Sequence, residues 1–301
     1  MNKMSYIRMA ALTSLAMVAF ACNSLLCRVA LQHTGIDAAS FTTIRLMSGA
    51  IMLWLIVRMS RSTQTGRGSW RSAFALFVYA AGFSFAYMSL PASTGALLLF
   101  GAVQATMIGY GIWAGECLRR LQMVGLVLAL GGLVGLLLPG LSAPPLLGSL
   151  LMLSAGVAWG VYSLRGKSAG DPTRVTAGNF MRAVPMAAAL SVLMHNSTSF
   201  DNAGLLYAVA SGAIASGLGY AIWYTALPAL KATSAATVQL SVPIIAAMGG
   251  IVFLDESASV RLVLASVAIL GGIALVMRDK QNANAAQPVA PADGSASQPG
   301  K

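Results

Sequence analysis

Charge is scarce in this chain. Only 9% of its 301 residues are Asp, Glu, Lys or Arg, against about 25% in an average soluble domain, and that shortage excludes a water-soluble globular fold. None of the acidic residues, Asp37, Glu116, Asp171, Asp201, Asp255, Glu256, Asp279 and Asp293, falls inside a long apolar run. Histidine is nearly absent too: His33 and His195 lie at the edges of apolar runs and read as interfacial. With no carboxylate or histidine at depth, no intramembrane proton relay is expected. The same shortage removes the base and metal ligands that an integral membrane enzyme would need. The chain therefore reads as no enzyme, with no metal and no cofactor. Cys22, Cys27 and Cys117 form neither a CxxC pair nor an even set, so they read as small buried side chains. Gly166-Lys167-Ser168 suggests a phosphate loop, but that pattern needs glycine at position 161, where Val161 stands.

Hydrophobic residues make up 57% of the chain. The stretch 72–115 is free of charge and about twice the roughly 20 residues that one membrane crossing needs, so it folds as a hairpin, with its break at Leu90-Pro91-Ala92. The stretch 121–164 repeats this, turning at PGLSAPP, residues 139–145. Read in this way the chain is an all-α integral membrane protein with ten transmembrane helices, at about 9–28, 39–58, 72–90, 94–115, 120–139, 146–165, 174–194, 203–226, 233–254 and 260–277. The first is read as a retained span in place of a cleaved signal. Residues 281–301 hold no large apolar side chain beyond one valine and read as a disordered cytoplasmic tail.

The net charge is +11, yet no basic face carries interleaved aromatics, so nucleic acid is not an expected partner. The lysines and arginines sort by side instead. With the amino end in the cytoplasm, Arg28 and Arg261 are outside, Arg45 and Arg182 are within spans, and every other basic residue is inside. That bias places both termini in the cytoplasm.

The two halves resemble each other. AYMSLPA at 86–92 matches WYTALPA at 223–229, and 115–137 matches 255–277, with Glu116 on Glu256 and Gly131-Gly132 on Gly271-Gly272. AFACNSLLCR at 19–28 aligns with AWGVYSLRGK at 158–167, and Arg45 falls on Arg182. Five spans per repeat is an odd number, so residues 1–139 and 140–280 are expected to form two five-helix inverted repeats. Such repeats hold a ligand at their interface near the bilayer midplane.

The two aligned first-span segments, the paired arginines, the LP turns and the glutamate followed by GG in each last span resemble the EamA family of the drug/metabolite transporter superfamily, over about residues 9–278. The resemblance implies a multi-pass inner-membrane carrier, monomer or homodimer, that exports amino acids or related small metabolites through a central cavity. Import of a vitamin, nucleoside or adenosyl compound, or a passive metabolite channel, is the alternative. Phe20-Ala21 departs from the family's tryptophan-glycine, which Trp159-Gly160 keeps.

A small amphipathic solute calls for an apolar wall with a few hydrogen-bonding groups. The candidates are Phe20, Asn23, Arg45, Tyr87, Gln104, Trp159, Tyr162, Arg182, Tyr224 and Gln239. An arginine within a span costs roughly 2.5–3.5 kcal/mol to insert, so Arg45 and Arg182 need a reason. Each either snorkels or binds helix carbonyls, or else meets an anionic group of the solute. Gly111/Gly115, Gly131/Gly135 and Gly156/Gly160 are expected to let helices approach, and Pro185 and Pro243 to mark kinks.

Overall fold

The computed structural model describes residues 6–60, 66–115, 120–138, 143–166, 171–226 and 238–285. Its helices are α1 (Tyr6–His33), α2 (Ala38–Met59), α3 (Trp70–Tyr87), α4 (Ala92–Trp113), α5 (Arg120–Leu137), α6 (Leu146–Gly166), α7 (Pro172–Leu193), α8 (Asn202–Ala226), α9 (Ser241–Leu254) and α10 (Val260–Ala285). No strand occurs among the described residues. Helices α1, α2, α4, α5, α6 and α8 are long and apolar enough to cross a membrane. In a bilayer the backbone must satisfy its own polar groups, which helices do internally. Large apolar side chains face outward at many points, among them Val127, Leu206, Met248 and Phe253, as a lipid-facing surface requires.

The scarce acids serve helix starts. Asp37 accepts from Ala39 N and Ser40 N at 2.9 Å each, Asp171 from Thr173 N and Arg174 N, and Asp201 from Gly204 N. These caps satisfy amide donors that the first turn leaves orphaned. Burial works to raise the Asp37 carboxyl, but its hydrogen bonds, those from Ser40, Ser199 and Ala39 together, outweigh that and hold it below the usual range. Helix α4 follows Pro91, which offers no side-chain cap. Glu256, just beyond α9, reaches across instead: Ala92 N donates to its Oε1 at 2.6 Å and Ser93 N to its Oε2 at 3.3 Å. Arg28 of α1 joins this clasp, 3.7 Å from Glu256 and donating to the Tyr87 carbonyl at 3.0 Å. Its residues thus tie α1, α3, α4 and α9 together at one end of the bundle.

Packing centres on α6, which lies against α3 and α4, and on α1, which lies against α8 and α9. Helix α2 packs on α7 and α8, α3 also touches α7, and α4 touches α9. Helices α5 and α10 pack on each other and reach the remainder mainly through α4.

Glycine explains the close approaches, although not always at the expected positions. A Cβ on Gly156 would lie 2.6 Å from the Leu99 carbonyl oxygen, and one on Gly160 would lie 2.8 Å from Thr106, so this pair seats α6 on α4. A Cβ on Gly131 or Gly135, by contrast, would meet none of the described residues of other helices within 4 Å; Gly132 and Gly272 make the α5–α10 contact. Gly115 also has open space around it and ends α4 at φ +90°, a backbone region that favours glycine. Where one span was expected at 233–254, Val238 and Gln239 are helical, Leu240 is a turn and α9 starts at Ser241. Pro243 therefore lies in the first turn of a restarted helix, where its missing N–H costs nothing. Helix α10 continues to Ala285, into the segment read as tail. Glu116 and Cys117 lie outside the described residues; Cys27 is buried and Cys22 half-buried.

Helix α8 coincides with the span expected at 203–226, but its residues Ala210–Leu218 wind as a π-helix, which the sequence did not indicate. Here its backbone meets that of α2. A Cβ on Gly212 would stand 2.1 Å from the Arg45 carbonyl oxygen, and one on Gly49 would stand 3.0 Å from the Gly212 carbonyl oxygen. At the start of this stretch Ser211 faces Asn23 of α1.

Candidate functional site

The fully buried Arg45 lies where α2 faces α3. Its Nη2 donates to Tyr79 Oη at 3.1 Å, and the guanidinium lies over the Tyr79 ring at 5.3 Å and the Phe83 ring at 4.8 Å. Ring contacts are worth about 0.5–2 kcal/mol each and a hydrogen bond from a charged group about 1.5–3. Together they offset the insertion cost, so Arg45 is held at depth without an acid. Among the described residues it forms no ion pair, and its buried Nη1 has no hydrogen-bond partner.

Asn23 of α1 sits beside this group. Its Nδ2 donates to Tyr79 Oη at 3.5 Å, while Ser211 Oγ donates to its Oδ1 at 2.7 Å. Arg45, Tyr79, Asn23 and Ser211 thus form one buried polar chain drawn from α2, α3, α1 and α8.

Aromatic rings surround that chain. Trp159 of α6 packs on Tyr79 at 4.8 Å between centroids and stacks on Tyr162 at 5.4 Å and on Tyr220 at 5.3 Å. Tyr220 also meets Phe20, Phe180 and Tyr224. Beyond Tyr162 opens a vestibule of about 210 Å³, lined by Ser69, Ser72, Thr176, Asn179 and Tyr224, with Arg67 and Arg165 at its edge. Asn179 donates to Tyr162 Oη at 3.3 Å and accepts from Ser69 N at 2.8 Å. The vestibule lies at the start of α3 and the Glu256 clasp at its end. Eighteen residues of helix separate the two, about 27 Å at 1.5 Å per residue.

The structure therefore gathers Phe20, Asn23, Arg45, Trp159, Tyr162 and Tyr224 into one group. The other candidates lie elsewhere. Tyr87 is buried over Gly95, with its hydroxyl donating to the Ala92 carbonyl at 3.3 Å, and meets the edge of Phe83. Gln104 lines a small apolar cavity between α4, α5 and α10. Arg182 is half-buried and donates to the Gly178 carbonyl of its own helix at 2.8 Å, the carbonyl-binding alternative. Gln239 is half-buried at the break before α9. Tyr79, Phe83, Ser211 and Tyr220 were not among the candidates. A signal existed for two of them: the alignment that sets Tyr87 on Tyr224 sets Phe83 on Tyr220 one helical turn earlier.

Comparison with known proteins adds the family. The model of the EamA-like transporter family matches residues 146–278. The uncharacterized protein PA1977 of Pseudomonas aeruginosa is 58% identical over 267 residues, covering 88% of this chain and 93% of that protein. The chain belongs to the EamA family of the drug/metabolite transporter superfamily. Members of this family are multi-pass membrane transporters of metabolites, which accounts for the apolar exterior around a polar, aromatic interior. The threonine/homoserine exporter RhtA of Salmonella typhimurium is 35% identical over 162 residues, spanning 50% of this chain and 53% of RhtA. A solved crystal structure shares the EamA chain's fold at a TM-score of 0.64 and 19% identity, covering 90% of this chain and 98% of its own.

Proposed function

We propose that this EamA-family protein is an inner-membrane carrier that exports amino acids or related small amphipathic metabolites by alternating access, with both termini in the cytoplasm. One observation carries the reading: a polar vestibule and the buried Arg45–Tyr79–Asn23–Ser211 chain meet on the same aromatic cluster. At about 210 Å³ the vestibule is smaller than the roughly 300–1,000 Å³ of drug-sized sites, which favours solutes of amino-acid size. The name of RhtA, a threonine/homoserine exporter, points the same way.

Packing supports two inverted repeats, residues 1–139 and 140–280. Exchange each helix with the one five places on, and α3 on α6 becomes α8 on α1, α4 on α6 becomes α9 on α1, and α2 on α8 becomes α7 on α3; each of these contacts exists. Under the basic-residue bias the vestibule opens to the cytoplasm and the Glu256 clasp closes the outer end, an inward-facing state. Phe20, Asn23, Arg45, Trp159, Tyr162 and Tyr224 then line the translocation path, and no acid within a span ties transport to protons, so facilitated diffusion or exchange follows.

The test is a growth-inhibition panel of toxic amino-acid, purine and vitamin analogues on cells with and without the protein. Export gives resistance to one compound class, with amino-acid analogues expected first. Sensitisation to every active compound would contradict export and favour uptake.

A further inference from the structure

A cation that is buried, held and still has an unused donor is built to receive something. Arg45 meets all three conditions: it is 2% exposed, its Nη2 is taken by Tyr79, and Nη1 has no partner among the described residues. An orphaned buried donor costs about 1–3 kcal/mol, so its persistence calls for an occupant in part of the working cycle. The approach to it has one sign of charge. Arg67 and Arg165 edge the vestibule, and none of the described residues that line it is acidic. From there the ring sequence Tyr162, Trp159, Tyr79 leads inward to Arg45, each ring in contact with the next. Asn23 offers one further polar group at the inner end, while the walls are rings.

We propose that Arg45 Nη1 binds the carboxylate of the transported solute, and that the site takes monocarboxylates whose remaining part is apolar or aromatic and packs on Trp159 and Tyr220. The half-buried Trp159 ring covers the subsite and moves aside to admit the solute. No acid is present in the described site to pair with an ammonium group, so the carboxylate is the required charge and an amino group is tolerated on the ring faces. This inference rests on the transport reading above and names its substrate class.

Purified full-length protein in detergent is tested for thermal protection by three acid and amide pairs: L-phenylalanine and L-phenylalaninamide, L-threonine and L-threoninamide, 3-phenylpropionate and 3-phenylpropionamide. At least one acid is expected to protect with an apparent affinity about tenfold or more above that of its amide, the scale of a hydrogen bond from a charged group. In Arg45→Gln that preference is expected to vanish. In Arg45→Lys, whose compact ammonium cannot reproduce the guanidinium fork, it is expected to shrink. A purely structural arginine would leave the acid/amide ratio unchanged in any variant that folds. Equal binding of acids and amides by the parent, protection by none of the six, or an unchanged ratio in Arg45→Lys would overturn the proposal. If Arg45→Gln does not fold, Arg45→Lys decides. Resistance in the growth panel with equal binding of acid and amide would contradict the carboxylate assignment alone; failure of the panel would contradict the transport reading.

Discussion

Single residues carry the electrostatics of this protein because it has few charges to use. Asp37, Asp171, Asp201 and Glu256 all accept from amides at helix starts. Glu256 is the least local of these, since it caps a helix far from it in sequence and draws Arg28 to within 3.7 Å. Loss of a cap costs about 0.5–2 kcal/mol. Glu256→Ala is expected to lower the thermal midpoint in detergent more than Glu256→Gln, which keeps an acceptor oxygen. Midpoints equal to that of the parent for both would show that the clasp contributes nothing. The positions of the acids outside apolar runs are legible in the sequence, but their role as caps is not, because an acceptor's partners are set by the fold. Arg45 and Arg182 look alike as letters and occupy aligned positions. One is buried under two rings and the other binds a carbonyl of its own helix. Only tertiary placement separates them.

Among the elements, helix positions and types were legible because long apolar runs with proline and glycine breaks leave a bilayer chain little choice. The π-helix at Ala210–Leu218 was not, since its hydrogen-bond register leaves no mark on hydrophobic periodicity. Nor were the working glycines, because which side of a helix meets a neighbour depends on rotation about its axis. The contact of that π-helix with α2 is tight enough to test. A methyl group on Gly212 would fall 2.1 Å from a backbone oxygen that cannot move aside, and overpacking of this kind costs about 1–3 kcal/mol or more. A Cβ on Gly109, in α4, would meet none of the described residues of other helices within 4 Å. Gly212→Ala is expected to reduce folded protein recovered from membranes, while Gly109→Ala leaves it unchanged. Equal recovery of the two variants would refute the close approach of α2 and α8.

For the whole molecule, the features combine into one device: a bundle clasped at one end, a vestibule at the other, and a ring-lined polar centre between them. Four of the six candidates that converge on the centre lie in the first span of each half, where the repeat aligns Phe20 with Trp159 and Asn23 with Tyr162; Arg45 and Tyr224 join them from α2 and α8. Outside it lie Gln104 and Gln239, which only their polarity at depth marks, the aromatic Tyr87, and Arg182, which the repeat aligns with Arg45. The central claim is that this molecule carries a solute and is not a pore, and counterflow tests it most directly. Vesicles reconstituted with the protein are loaded with an unlabelled compound from the class identified by growth, and labelled compound is added outside at equal pH. A carrier is expected to accumulate label transiently above equilibrium, with an initial rate that saturates as concentration rises. Flux that stays proportional to concentration, without overshoot, would contradict the account and identify a channel.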